Sequence, residues 1–170
     1  MEKRLAALAL ATLAACAAPP ARPPVNLGVS FDAAAAQQML LDGVNSIRGS
    51  AFLRQQGGGV VTCAGAQVSL VPATAYAKRV YMALYGTDTG QARHLGYAVD
   101  VEPKSDDFGR LMKHTQCDAQ GTFSFERVAD GDYFVETTVK WIVGGVPNGG
   151  PIMRRVAVSG GAIASIVVAP

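Results

Sequence analysis

Residues 131–143 hold the longest period-two alternation in the chain, and this pattern constrains the fold before anything else does. Tyr133, Val135, Thr137, Val139, Trp141 and Val143 fall on one side of an extended backbone, and Phe134, Glu136, Thr138, Lys140 and Ile142 on the other. Successive side chains of a strand point to opposite faces, so a strand with one apolar face needs neighbours and a second layer to cover it. Shorter stretches repeat the signal. Ile47, Ala51 and Leu53 share a face over 47–53, with Gly49 in the remaining slot. Residues 60–63, 67–70, 111–118, 152–158 and 163–168 read the same way, and Phe123 and Phe125 share a face. Turn signals separate them: Gln55-Gln56-Gly57-Gly58-Gly59, Ala64-Gly65-Ala66, Asp118-Ala119-Gln120-Gly121, Asp130-Gly131-Asp132 and a glycine-rich loop over 143–151. About seven short strands with regular turns predict an all-β fold, a seven-stranded antiparallel sandwich of two sheets.

Two helices interrupt the strands. Over 31–42, Asp32 serves as N-cap, Ala33 to Ala36 propagate, and Gly43 suits the left-handed residue after the helix; Ala36 and Leu40 would face the core, with Met39 beside them. The second helix is an insertion over 74–85, capped by Thr74 and closed by Gly86, with an apolar stripe of Tyr76, Val80, Ala83 and Leu84. Residues 87–108 show no regular period.

The start of the chain follows a different logic. Lys3 and Arg4 precede an unbroken run of Leu, Ala and one Thr over 5–15, well short of the ~20 residues a membrane-crossing helix needs. A basic start, a short apolar run and small residues at its end form a secretory signal peptide. Leu13-Ala14-Ala15-Cys16 then resembles the lipobox of bacterial lipoproteins. The resemblance implies lipidation of the Cys16 thiol, cleavage before it and acylation of the new amino group. Several acyl chains hold firmly, since each buried CH₂ contributes ~0.8 kcal/mol. Ala17, where an aspartate would retain such a protein at the inner membrane, implies the outer membrane facing the periplasm. Pro19, Pro20, Pro23 and Pro24 favour an extended tether. The expected organisation is a leader over 1–15, a lipidated cysteine and tether over 16–30, a short helix over 31–45 and the sandwich over 46–170.

With Cys16 assigned to the lipid, Cys63 and Cys117 remain as an even pair in an oxidising compartment, both at strand ends. A disulfide between them closes a loop of about 55 residues and contributes ~4 kcal/mol by chain entropy. The alternative is two separate buried thiols. A metal site is disfavoured, because two cysteines without histidines at ligand spacing fall short of four ligands.

The segments Cys63-Ala64-Gly65-Ala66-Gln67-Val68-Ser69-Leu70, Cys117-Asp118-Ala119-Gln120-Gly121-Thr122-Phe123-Ser124-Phe125 and Gly131-Asp132-Tyr133-Phe134-Val135 resemble carboxypeptidase regulatory-like domains, which are transthyretin-like sandwiches. The resemblance implies an accessory module without catalytic residues, with folding, docking or ligand contact as its role.

No catalytic constellation, metal or cofactor is expected. His94 and His114 lack a Gly-x-Ser-x-Gly frame. Asp100, Glu102, Asp106 and Asp107 lack the spacing of a Ca²⁺ loop and read as a solvated acidic segment. Gly57-Gly58-Gly59 lacks the Lys and Ser/Thr of a phosphate loop. A net charge of +2 argues against nucleic acid. The expected function is that of a non-enzymatic, lipid-anchored cell-envelope protein binding a protein partner or cell-wall component. The alternative is a small-ligand or carbohydrate module using the 87–108 and 143–151 loops. Candidate contact residues are Tyr76, Tyr81 and Tyr85 on the inserted helix, and Trp141.

Overall fold

The computed structural model describes residues 23–170. The expected leader, the expected lipid site Cys16 and the first part of the expected tether lie outside the described residues. In chain order the elements are β1 (Val25–Asn26), α1 (Ala33–Met39), β2 (Asp42–Arg54), β3 (Val60–Thr62), β4 (Gln67–Pro72), α2 (Ala75–Tyr85), β5 (Gly90–Ala92), β6 (Val101–Glu102), β7 (Lys113–Gln116), β8 (Thr122–Val128), β9 (Gly131–Val143), β10 (Val146–Val158) and β11 (Ile163–Val168). The protein is an all-β sandwich, as the alternation predicts. One sheet has the order β5-β10-β9-β4-β7 and is antiparallel throughout. The other is built on β2, which pairs with β8 and β3 antiparallel and with β11 parallel. A short parallel ribbon joins β1 to β6.

The inward rows interlock between the sheets. Val68, Leu70, Val135, Val139 and Ile152 come from the first, and Ile47, Ala51, Phe123, Phe125 and Val168 from the second. Thr137 is the polar member of the β9 row; its hydroxyl donates to the Gln67 carbonyl at 2.7 Å, which offsets the cost of burying it. Cys63 and Cys117 form a disulfide with Cα atoms 5.8 Å apart. Asn45, fully buried, ties three segments together. Its amide donates to the Val128 carbonyl and the Asp130 carboxylate, and its oxygen accepts from Gly161 and Ala162.

A second core lies outside the sandwich. Val71, Phe134 and Met153 point away from the first sheet, yet all three are buried, because α2 lays Ala77, Tyr81 and Tyr85 over them. The other side of α2 is covered too: Tyr76 and Val80 pack with Leu27, Phe31 and Phe108. The helix has the expected caps at Thr74 and Gly86. Its buried set differs from the expected stripe, since Ala83 and Leu84 are only partly covered while Ala77, Tyr81 and Tyr85 are inside. Two layers, not one, press on this helix, so it buries two faces.

Three boundaries differ from the sequence reading. The first helix ends at Met39, and Gly43 lies within β2; a Cβ there would come 2.3 Å from the Val128 carbonyl oxygen, so this glycine serves close strand approach and not a helix end. The chain packs from β1 onward, with Leu27 buried under α2, so residues 25–27 belong to the folded part and not to the expected tether. Residues 143–151 are no loop. β9 and β10 continue to Val143 and Val146 and turn through Gly144 and Gly145 alone.

Candidate functional site

One end of the sandwich holds a cleft of about 720 Å³. Its walls come from the end of β2 with the turn after it (Leu53–Gly57), from Gln91–His94 at and after β5, and from the distal half of the β9–β10 hairpin. Trp141 is its aromatic surface. β9 alternation puts this side chain on the inward face, but beyond the point where the second sheet covers that face, so the indole stays half-buried. Gly149 decides where the ring rests. With φ +95°, a Cβ there would lie 2.1 Å from the Val139 carbonyl oxygen and 2.8 Å from the indole, so the missing side chain lets the ring lie against β10. Gly150 likewise admits the backbone of Arg93, whose carbonyl oxygen would sit 1.8 Å from a Cβ at that position.

Gln55, Gln56, Gln91 and Asn148 line the cleft with Trp141, Arg54, Arg93 and His94; the Asn148 amide donates to the Val146 carbonyl at 2.9 Å, and the Gln91 side-chain oxygen accepts from the Ala92 N–H at 3.2 Å. No Asp or Glu lines the cleft. Arg93 is held in place: its Nε donates to the Leu84 carbonyl at the end of α2 at 2.8 Å, and its guanidinium lies 4.9 Å over the Tyr97 ring. A flat apolar ring in a cleft also lined by groups that both donate and accept suits a ligand with C–H faces and hydroxyl edges.

The other expected contact residues lie elsewhere. Tyr76, Tyr81 and Tyr85 are 2%, 2% and 5% exposed, in the layers on either side of α2. The Tyr76 hydroxyl donates to the Pro103 carbonyl at 2.8 Å. The Tyr81 ring stacks on Phe134 at 4.2 Å, and burial pushes its hydroxyl pKa well up, with the nearby Glu136 carboxylate adding to the shift. These tyrosines hold the helix, while Trp141 faces the cleft. His94 lines the cleft, whereas His114 sits on β7 at the opposite edge of the same sheet, against Gln67 and Ser69, so the two histidines share no site. In the acidic segment, Asp100 pairs with Lys104 at 2.8 Å and Asp107 with Arg110 at 3.7 Å. Among the described residues no group of three or more His, Cys, Asp or Glu is placed to hold a metal.

The fold has solved counterparts. A candidate carbohydrate-binding protein from Pseudomonas aeruginosa superimposes with a TM-score of 0.68 at 21% identity, over 84% of this chain and 99% of that one. A minor pilin of Streptococcus agalactiae matches with a TM-score of 0.39 at 12% identity, over 75% of this chain and 44% of the pilin. A shaft pilin of Lactobacillus rhamnosus GG gives 0.28 at 11%, over 74% and 45%. No protein-family model matches the chain, and no curated protein matches its sequence. The Pseudomonas likeness shows the same architecture.

Sequence reasoning singled out Trp141 and both segments flanking the cleft, but not Arg54, Gln55, Gln56, Gln91 or Asn148. Gln55 and Gln56 read only as the start of a turn. Nothing local marks four scattered carboxamides as the lining of one cleft; the fold brings their segments to it.

Proposed function

We propose that this protein is a non-catalytic glycan-binding module of the cell envelope, with a cell-wall or surface polysaccharide as its partner and a lipid on Cys16 as its anchor. The observation that carries the binding reading is the half-buried Trp141 indole, laid on Gly149 in an open cleft that Gln55, Gln56, Gln91 and Asn148 also line. Sugar rings present apolar C–H faces that stack on indole, and hydroxyls that pair with Gln, Asn and Arg. Binding without hydrolysis follows from the lining, because glycoside cleavage in its usual form needs a pair of carboxyl groups and the cleft supplies none. The Pseudomonas neighbour, a candidate carbohydrate binder of the same architecture, supports the same direction.

Trp141 is the only tryptophan in the chain, so its emission reports on the cleft directly. A glycan that binds there should shift that emission saturably, and Trp141→Ala should weaken binding at least about tenfold, the order of one lost stacking contact. Unchanged affinity in the variant, measured by calorimetry, would remove the cleft from consideration. The anchor is tested separately by intact mass and membrane fractionation of Cys16→Ala. The parent should carry acyl mass and sediment with membranes; an unacylated, freely soluble parent overturns the lipid reading.

A second reading is favoured by the hairpin tip, where Ile142, Val143 and Val146 are 65%, 57% and 62% exposed. Three apolar side chains in such a position suit contact with a protein partner beside the cleft. Ile142→Ser with Val146→Ser should then abolish a crosslink to that partner and leave the emission response to glycan intact.

A further inference from the structure

We infer that the free edge of β11 is a self-association surface, on which a second copy of this chain adds its own β11 antiparallel. The inference goes beyond the glycan reading and does not depend on it. β11 lies at the margin of its sheet and pairs with β2 alone. The phase of that ladder is set by the Ser46 N–H, which donates to the Ala162 carbonyl at 3.0 Å. Alternate residues of a strand aim their backbone groups at opposite neighbours. Ala164, Ile166 and Val168 therefore serve β2, while Ile163, Ser165 and Val167 aim theirs outward. The outward row is open. Among the described residues its one partner is the Arg154 Nε, which reaches the Val167 carbonyl at 3.3 Å and leaves that oxygen a second lone pair.

The other edges are blunted. β1, β3, β5 and β6 are two or three residues long, β7 carries Lys113, and the unpaired stretches of β2, β9 and β10 carry Arg54, Lys140 and Arg155. β8 carries Glu126 and Arg127, turns left-handed at Arg127 with φ +54°, and has its outer Thr122 backbone bonded by Asp118. Short length, charge and local kinks are the devices that keep sheet edges from joining other chains. β11 (Ile163–Val168) has none of them: six residues without a charge, a proline or a glycine, with Ile163 and Val167 exposed. A second copy is the occupant because this edge is its own complement. Antiparallel pairing about a twofold axis at Ser165 sets Ile163 against the partner's Val167, and Ser165 against the partner's Ser165. All of these aim their backbone outward, so each meets its opposite as a hydrogen-bonded pair, and no like charges oppose across the axis. Six residues a side make a small interface, below about 1,200 Å² in all, so the dimer dissociates on dilution.

The test is run on the full chain. Sedimentation velocity over a rising concentration series should show the mass moving from one copy toward two, and Ser165→Pro should hold it at one. Proline is tolerated there because the Ser165 N–H points away from β2, and a thermal scan checks that the fold is kept. Val167→Lys, at an exposed side chain, should give the same loss through charge. Register is read by cross-linking. Opposed residues of such a pair have Cα atoms about 5.5 Å apart, within disulfide range, so Ser165→Cys should form a covalent dimer under mild oxidation, above the background of the parent. Ile163→Cys alone should not, since the two copies of residue 163 stand about 14 Å apart; mixed with Val167→Cys, it should. A single-copy mass throughout, up to about 1 mM, overturns the proposal. A dimer that survives both Ser165→Pro and Val167→Lys lies on another surface and overturns it equally. A Ser165→Cys chain that links only to a different protein overturns the second copy and makes the edge a site for a partner's strand.

Discussion

At the scale of single residues, Glu136 shows how burial becomes a pH dependence. It faces outward from β9 beneath the edge of α2, where burial pushes its carboxyl pKa up and a hydrogen bond from Tyr81 partly opposes the shift. The folded state therefore holds this proton more tightly than the unfolded chain does. The cost of the anion is absent at pH values below the ordinary carboxyl range, where both states are protonated. It grows as pH rises and is complete above the raised folded-state value. Glu136→Gln keeps an acceptor for Tyr81 and removes the titration. Its urea midpoint, relative to the parent, should thus rise as the pH is raised from below the ordinary carboxyl range to well above it. A midpoint difference that does not change with pH would show that the carboxyl is solvated in the folded protein. Trp141 belongs to the same scale but answers to affinity, since its half-buried ring contributes to the cleft more than to the core.

At the scale of elements, the β9–β10 hairpin separates what local sequence reveals from what it hides. β9 was legible because its alternation is long, and α2 because Thr74 and Gly86 are chemically suited to its two ends. The far half of β10 was not. A cluster of glycines carries the same signal whether the chain turns or another group must come close, and here Gly149 and Gly150 answer to close approach. Phe134 and Met153 hid a second fact: apolar residues on the wet side of an alternating strand mean a covering layer, and α2 is that layer. The core rows of the sandwich were readable from period alone, whereas the cleft was only half readable, because the residues that line it come from separated segments. Gly149→Ala tests the hairpin. Its Cβ would strike the Val139 carbonyl and the indole in a left-handed backbone, which costs about 1–3 kcal/mol from strain of this kind. Thermal unfolding should show that loss, and the Trp141 emission should shift as the ring is pushed from its seat. A stable variant with parental emission would mean that β10 relaxes freely around the new methyl group.

At the scale of the whole molecule, the disulfide joins the two sheets and braces one wall of the cleft. Cys63 follows β3, which belongs to the β2 sheet, and Cys117 follows β7 at the edge of the other. β3 is only three residues long and carries the Gln55–Gly57 turn at one end and the cross-link at the other. Three ladder pairs with β2 are little to hold such a strand, so the cross-link determines how firmly that wall stands. Replacing both cysteines by serine opens a loop with a sequence separation of 54, and chain entropy alone predicts a loss of ~4 kcal/mol. Because both side chains are buried, the polar replacements add to that loss. Urea denaturation of the double variant checks the global term, and hydrogen exchange over 60–62 checks the local one, where amides should exchange faster than those of β9 and β10. Loss of stability together with weaker glycan binding is the expected pairing, since the turn that β3 carries supplies Gln55 and Gln56 to the cleft. A loss under ~1 kcal/mol would mean that the interlocked apolar rows hold the two sheets in register without the cross-link.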